Sequence, residues 1–459
     1  MAKITVGFYQ LAHRLFYRKD TSIFSVLKER DYRNLWIGQS ISFIGDSLAY
    51  NTMTLAIIMM AKHEDAQYGS ILGLLAVLSS LPPLLLGMVA GTIADRANRK
   101  TIMITADVLR GFMTLAFLFV DHLDDVWIFL VVSVSLQTIS VFFYPARTAL
   151  MPEILNKEQL LSANALGQLT VTLSFVLGAT LAGFLVQQDQ FAPAFLFDSV
   201  SFFCSAYFIT RISISGKLKR KNEQRILVQP FVSGRWAETR RSIQTMVSEL
   251  IVGVRYVLTD QVMRGVLLTF VALYLGLGAA NVTFVPLLID ELGMKSTGLG
   301  LIRFSQSLGI ILGSAAIGGI ATQYKARDVI GISMVLFGMT TILTAITPTY
   351  SLMVLVLFLV GITISPPQIV APTLMQRHVP SEKLGRASGG QNTIVTIANI
   401  ASMGVAGYLL DMISARTIFA VSGALIFLAG FVSWWVLRNV EDEQPESIPV
   451  SSVPETTQG

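Results

Sequence analysis

Cysteine is nearly absent from this chain, since Cys204 is the single cysteine among 459 residues. A disulfide within the chain and a cysteine-based metal site are therefore both excluded. Only four histidines are present, and the sequence lacks a phosphate-binding G-x-x-x-x-G-K-S/T loop and an H-E-x-x-H metal motif. "GLGAAN", at 276–281, departs from the dinucleotide-binding pattern at its last glycine. We therefore expect no enzyme activity, no cofactor and no metal site.

Charge is also scarce, and its scarcity argues against a soluble protein. Charged residues make up 14% of the chain, whereas soluble domains carry about 25%. Hydrophobic residues make up 53%, and the mean hydropathy is +0.62. The net charge of +5 comes from bases in short loops rather than from one basic domain, so we expect no nucleic-acid partner. The composition predicts a protein that spans the lipid bilayer several times.

Twelve apolar runs of spanning length follow one another along the chain. A lipid interior offers no partner for free backbone N–H and C=O groups, so we predict that each run is a helix. Short alternating segments of the kind that build membrane barrels are absent from the sequence. The prediction is an all-α membrane protein with runs near 34–60, 69–92, 101–120, 126–147, 160–187, 191–211, 264–289, 297–321, 328–347, 351–373, 385–409 and 414–438.

The loops between these runs alternate in charge. Those that begin at residues 1, 93, 148, 212, 322 and 374 are basic, and the others are acidic or neutral. We call the two ends of the predicted bundle the basic end and the acidic end. Because cytoplasmic loops carry an excess of Lys and Arg, we expect the basic end and both termini to be cytoplasmic, in the inner or plasma membrane of the cell.

The apolar runs fall into two groups of six, separated by a long polar gap. The gap contains "TMVSELIVGVRYVL", whose apolar residues recur at helical spacing and predict an amphipathic helix on the membrane face; a solvated linker is the alternative. The polar, Pro- and Ser-rich C-terminus is predicted to be disordered. The predicted segments are 1–33 (basic N-terminal segment), 34–211 (first bundle), 212–262 (linker), 263–438 (second bundle) and 439–459 (tail).

The two groups of six also resemble each other. "ALMPEILNKEQLLSAN", at 149–164, aligns with "TLMQRHVPSEKLGRAS", at 373–388, and both stretches follow the fourth apolar run of their half. Paired six-helix halves related by repetition are typical of alternating-access transporters, which bind their substrate near the midplane between the halves.

One loop carries a family resemblance. "GTIADRANRK", at 91–100, resembles the Gly-x-x-x-Asp-Arg-x-x-Arg-Lys loop of the major facilitator superfamily. "DYRNLWIGQSISFIGDSL", "YPARTALMPEI" and "SANAL" resemble the branch that includes enterobactin and macrolide exporters. The resemblance implies the major facilitator fold, with twelve transmembrane helices in two pseudo-symmetric six-helix halves. It further implies a monomer that exports a small amphipathic molecule, such as a drug or siderophore, by antiport against protons.

Two departures from the family pattern bear on proton antiport. "LGATLAG", at 177–183, lacks the proline that antiporter relatives often carry there, and the fourth run lacks a buried arginine before a Gln-Gly pair. Two alternatives therefore stay open. One is a lipid or lysophospholipid transporter of the same fold, and the other is a membrane receptor that moves no substrate.

The quoted loop predicts a latch that biases the two halves toward one conformation. Asp95 is suited to accept charge-assisted hydrogen bonds from a base or a helix N-terminus, which the positive-inside rule alone does not explain. Gln323 stands at the equivalent position of the second half, so the latch is expected on one side only. Asp107 and Arg110 share a helix face and are expected to pair near the inner surface, either in support of the latch or as a purely structural pair. The complete predicted set is Gly91, Asp95, Arg96, Arg99, Lys100, Asp107, Arg110, Arg147 and Glu153.

Ionisable residues inside spans are expensive and usually functional. We predict Asp46 as the proton or substrate site, with Asp198 as a second proton candidate and Arg303 as an attractor of anions. The alternatives are a structural, hydrogen-bonded Asp46 and an Arg303 that snorkels to the interface. Neutral polar residues are predicted to line the cavity: Tyr50, Asn51, Gln137, Asn281, Gln306, Gln368, Gln391 and Asn392.

Overall fold

A computed structural model describes residues 23–213, 248, 251–320 and 324–439, and this part of the chain contains helices but no strands. Twelve of its helices are long and apolar enough to cross a membrane, as the sequence predicts. The first half contains α1 (Arg30–His63), α2 (Gly69–Arg96), α3 (Arg99–Thr114), α4 (Val126–Ile154), α5 (Lys157–Val186) and α6 (Ala192–Thr210). The second half contains α7 (Gln261–Pro286), α8 (Leu299–Ile320), α9 (Ala326–Ile346), α10 (Tyr350–His378), α11 (Ser381–Leu410) and α12 (Ala415–Val436).

Several helices extend beyond their apolar runs. A 3-10 segment, Leu115–Phe119, continues α3, and a π-helical turn, Leu287–Glu291, continues α7. Of the predicted linker, the amphipathic helix is described over 251–259, where the chain is helical. The predicted C-terminal tail after its first residue, the first 22 residues and most of the linker lie outside the described ranges.

The two halves contact each other at the acidic end. There α2 packs against α11, and α5 packs against α8. A Cβ on Gly73 would lie only 2.8 Å from the Cα of Gly407, so α2 and α11 approach closely because neither residue has a side chain. The Asp411 carboxylate accepts hydrogen bonds from the backbone N–H of Gly69, at 2.7 Å, and of Ser70, at 2.8 Å.

Polar contacts complete the closure of the acidic end. Lys62 of α1 forms an ion pair with Asp290 after α7, and the Tyr68 hydroxyl donates a hydrogen bond to the same carboxylate. Ser296 donates its hydroxyl to the carbonyl oxygen of Gly183 at 2.6 Å. Two carboxylates of the second half, those of Asp290 and Asp411, thus hold the ends of α1 and α2.

The basic end has a different arrangement. Among the described residues, the ion pair and hydrogen bonds that join the two halves lie at the acidic end and not at this one. Gly87 and Gly91 on α2, and Gly385 and Gly389 on α11, have no described atom within 4 Å of the place a Cβ would occupy. The same two helices that meet at the acidic end therefore separate toward the basic end.

Candidate binding cavity

A cavity of about 790 Å³ lies between the halves. Residues of the first half provide most of its lining, while Ser307, Ile310 and Ile311 of α8 and Gln368 of α10 come from the second half. The rings of Phe43, Phe117, Phe175 and Phe202 line the cavity together with polar and charged side chains. This volume and mixed lining suit a small molecule with an apolar body and a few polar groups.

Two of the predicted carboxylates face this cavity. A Cβ on Gly45 would lie 2.6 Å from the Asp198 carboxylate, so the glycine lets α1 approach α6 at this level. Asp46, the next residue, is half-buried, and none of the described residues forms a hydrogen bond or ion pair with its side chain. Asp198 is 2% exposed and accepts a hydrogen bond from the Ser201 hydroxyl at 3.5 Å. The close packing of α1 on α6 therefore places both acids on one wall.

A third acid inside the first bundle, Asp107, is neutralised by a base. Asp107 and Arg110 form an ion pair, with exposed fractions of 0% and 3%. The Arg110 guanidinium stacks on the rings of Phe143, at 4.4 Å, and Phe202, at 4.5 Å. The pair is buried inside the bundle, because this face of α3 packs against α4 and α6.

Removal of the Asp107 charge is expected to destabilise the protein strongly. Asp107→Asn would leave Arg110 buried without a counter-charge, and breaking such a pair typically costs about 3–5 kcal/mol. Thermal unfolding of the purified protein measures the effect. The double variant Asp107→Asn/Arg110→Gln removes both charges and should recover much of the loss. A single variant as stable as the wild type would contradict this role for the pair.

The predicted latch residues separate into two groups. Arg99 donates to the carbonyl oxygen of Ala149 at 2.6 Å and to the Glu153 carboxylate at 2.5 Å, which ties the start of α3 to the end of α4. Lys100 donates to the carbonyl oxygens of Thr210 and Ile212, each at 2.8 Å. These contacts join helices of the first half to one another.

The remaining latch residues differ from Arg99 and Glu153 in their surroundings. Gly91 lies where α2 has separated from α11. Asp95 and Arg96 end α2, but their side chains fall outside the described part of the structure, as does Gln323 of the second half. Arg147, which the sequence groups with Glu153, instead lines the cavity.

Three of the predicted neutral residues, Tyr50, Gln137 and Gln368, line the cavity. The other five are not part of the cavity lining. Asn51 donates within α1 to the carbonyl oxygen of Ser47, and Gln306 accepts from Arg303. Gln391 is buried, and Asn281 and Asn392 are exposed.

Arg303 lies near the cavity but outside its lining. Its guanidinium is held between two rings, Phe284 of α7 at 4.2 Å and Phe175 of α5 at 5.0 Å. Since Phe175 belongs to the first half, Arg303 contributes a cation–π contact across the interface of the halves. This position differs from both a snorkelling arginine and a cavity-lining one.

Two polar residues of α4 that line the cavity, Ser140 and Tyr144, are absent from the residues predicted above, and Arg147 is predicted there as a latch residue. Tyr144 and Arg147 share one face with Gln137 and Ser140, and all four line the cavity. Their spacing of three, four and three residues is the helical signal that would have identified them.

Comparison with known proteins identifies the family. The Major Facilitator Superfamily model matches residues 35–280 and 266–457. A putative bacilysin exporter of Bacillus amyloliquefaciens is 24% identical over 89% of this chain and 97% of its own length. Macrolide efflux protein A of Streptococcus pyogenes is 20% identical, covering 87% of this chain and 94% of its own length. The family and these relatives are transporters.

The fold also resembles that of solved transporter structures. A bacterial homologue of the human lysosomal transporter Spinster, solved in an inward-facing and unoccupied conformation, superimposes with a TM-score of 0.63 and 11% identity. The match covers 88% of this chain and 98% of that one. At this identity the likeness establishes the twelve-helix fold and does not extend to a substrate.

Proposed function

Because the chain belongs to the Major Facilitator Superfamily, we propose that this multi-pass membrane transporter exports a small amphipathic molecule by alternating access. The observation that carries the proposal is a cavity between two halves that contact each other at the acidic end and separate at the basic end. The efflux activity named for relatives supports the outward direction. We propose that the protein lies in the inner or plasma membrane, with its basic end and both termini facing the cytoplasm. We also propose that it is a monomer.

Proton antiport is the proposed energy source. Asp46 and Asp198 lie on the cavity wall, where low-dielectric surroundings disfavour a charged carboxylate. In the proposed cycle, a proton from outside neutralises Asp46 and allows the empty carrier to return, and substrate binding at the cytoplasmic side favours release of the proton. Coupling requires only that proton and substrate differ in their affinity for the two conformations.

Flux into proteoliposomes with an acidic lumen tests this function. Radiolabelled erythromycin, the dipeptide phenylalanyl-phenylalanine and lysophosphatidylethanolamine serve as probes, with protein-free liposomes as the control for passive trapping. We expect one of the first two to accumulate above the control and to lose that excess when nigericin removes the pH gradient. Accumulation of the lysolipid alone would favour the lipid transporter, and no flux of any probe would favour the receptor.

The proposed orientation predicts which loops react from outside the cell. Single cysteines at Asp124, Gln188 and Thr349, each in a Cys204→Ser background, lie in loops of the acidic end. An impermeant thiol reagent is expected to label all three in intact cells, whereas a cysteine at Ala97 of the basic end should react only after permeabilisation. The reverse pattern would contradict a cytoplasmic basic end.

The latch proposal concerns Asp95, at the basic end of α2. When the halves close at this end, the Asp95 carboxylate is expected to form charge-assisted contacts. Asp95→Asn should therefore slow transport while leaving expression and probe binding largely intact. Gln323→Asn, at the equivalent position of the second half, is the matched control and should have a mild effect. Normal transport by a normally expressed Asp95→Asn would remove this residue from the mechanism.

A further inference from the structure

One cation in the cavity has no counter-charge. Arg147 lines the cavity from α4, and no carboxylate of the described residues pairs with it. Its Nε atom is buried without a hydrogen-bond partner. The nearest ring, that of Phe43, lies 5.7 Å from the guanidinium carbon. A half-buried cation that lacks both a pair and a full set of hydrogen bonds is costly, unless a ligand supplies them.

A glycine of the neighbouring helix faces this guanidinium. A Cβ on Gly167 of α5 would lie 3.5 Å from the Arg147 Nη2 atom, so α5 passes close to the guanidinium at a residue without a side chain. Glu153, six residues further along α4, is occupied by Arg99. The planar fork of an arginine matches the two oxygens of a carboxylate or phosphate.

Two carboxylates in the same cavity, those of Asp46 and Asp198, form no ion pair with a described residue, and only Asp198 accepts a hydrogen bond, from Ser201. Asp46 lines the cavity without a described hydrogen-bond or ion-pair partner. Arg110 lines the same cavity, and its direct ion pair is with Asp107. Asp46, Tyr144 and Arg147 all line this one cavity. Outside the Asp107–Arg110 pair, the cavity therefore presents the carboxylates of Asp46 and Asp198 and the guanidinium of Arg147 to a ligand.

We propose that the transported molecule is a zwitterion, whose acidic group binds Arg147 and whose amine binds Asp46. The proposal rests on the export function above and adds the substrate class. The acidic group is a carboxylate or a phosphate, and the apolar body lies against the phenylalanine rings of the lining. An ammonium and a proton then compete for the Asp46 carboxylate, so substrate binding displaces the proton and links the two fluxes.

Matched dipeptides test the two charged subsites separately. Phenylalanyl-phenylalanine carries both charges and two rings, its C-terminal amide lacks the acid, and its N-acetyl derivative lacks the amine. A ligand that binds the native state raises the unfolding temperature by mass action, so thermal unfolding of the purified full chain reports binding of each compound. We expect the zwitterion to bind about tenfold or more tightly than either derivative, the loss expected for one charge-assisted contact.

Arginine variants assign the acid-binding subsite. In Arg147→Gln the zwitterion and its amide should bind equally, while in Arg147→Lys the preference should be partly retained, because the charge remains but the fork is lost. Arg255→Gln, an exposed arginine of the 251–259 helix, is the matched control and should keep the full preference. The unfolding temperatures without ligand show whether each variant is folded.

Binding of two lysolipids tests whether the zwitterion is a lipid headgroup. Lysophosphatidylethanolamine carries an amine and a phosphate, and lysophosphatidylglycerol carries only the phosphate. An Arg147-dependent preference for the first lipid, with no response to the dipeptide, would support the zwitterion and assign it to a lipid headgroup. The proposal is overturned if no zwitterion exceeds its singly charged analogues, or if Arg147→Gln keeps the preference. If the zwitterion proposal fails but erythromycin is still transported, the export function stands. If a zwitterion binds but no probe is transported, the export function is contradicted and the zwitterion-binding site stands.

Discussion

Replacement of Asp46 by asparagine is expected to abolish the response of transport to a pH gradient. Asparagine keeps the size of the side chain but neither binds nor releases a proton at the cavity wall. Exchange of the probe down its own gradient should continue at a saturating probe concentration, because movement of the halves does not require net proton transfer, although a probe whose amine binds Asp46 should bind more weakly. Flux into proteoliposomes, with and without an acidic lumen, measures the difference between wild type and variant.

Two further variants make this result specific. Asp124→Asn removes an exposed carboxylate of the acidic end, outside the cavity lining, and should respond to the gradient as the wild type does. Asp198→Asn removes the second cavity acid and should weaken the response only if the two acids share the proton. A gradient response that survives in Asp46→Asn would show that Asp46 is not the proton site, and Asp198 would be the next candidate.

Replacement of Asp411 by alanine is expected to open the acidic end. The Asp411 carboxylate binds the backbone N–H groups of Gly69 and Ser70 and the Ser70 hydroxyl, and so caps the start of α2 from the opposite half. Loss of a helix cap costs about 0.5–2 kcal/mol. Because the cap exists only while the acidic end is closed, the open population should rise by about tenfold, which corresponds to about 1.4 kcal/mol.

Spin labels at Asp124 and Thr349 span the two halves at the acidic end and report this population as a distance distribution. The Asp411→Ala chain should gain a longer component that the wild type lacks. Asp124 carries a label in this assay, so Asp189→Ala, in the loop between α5 and α6 of the same end, is the control and should keep the wild-type distribution. An unchanged distribution in Asp411→Ala would remove this carboxylate from the closure.

The sequence predicts the helices well because one physical constraint dominates them. Every backbone polar group in lipid must be satisfied within the helix, so an apolar run of spanning length already specifies the element. The twelve runs correspond to twelve helices. Asn98 caps the start of α3, because its side chain accepts a hydrogen bond from the Thr101 N–H. Asp46 and Asp198 were selected on the same ground, since charge in a span is costly.

Contacts between helices were less predictable, because the alternation of charge along a chain does not specify pairing in space. Arg147 and Glu153 are six residues apart on α4, so their side chains leave the helix in different directions. Arg147 lines the cavity, whereas Glu153 pairs with Arg99. Asn281 and Asn392 are polar residues in spans, yet both are exposed. The closure of one end depends on Asp290 and Asp411, whose partners lie more than 200 positions away along the chain.

Reciprocal movement of the two ends is the central claim, and paired distance measurements test it most directly. One label pair, at Asp124 and Thr349, spans the halves at the acidic end, and a second, at Ala97 and Glu382, spans them at the basic end. Both pairs are measured in lipid in a Cys204→Ser background, at neutral and acidic pH and in the Asp411→Ala variant. The account predicts that every condition that lengthens the acidic-end distance shortens the basic-end distance. An acidic end that opens while the basic-end distance stays constant or lengthens would contradict alternating access.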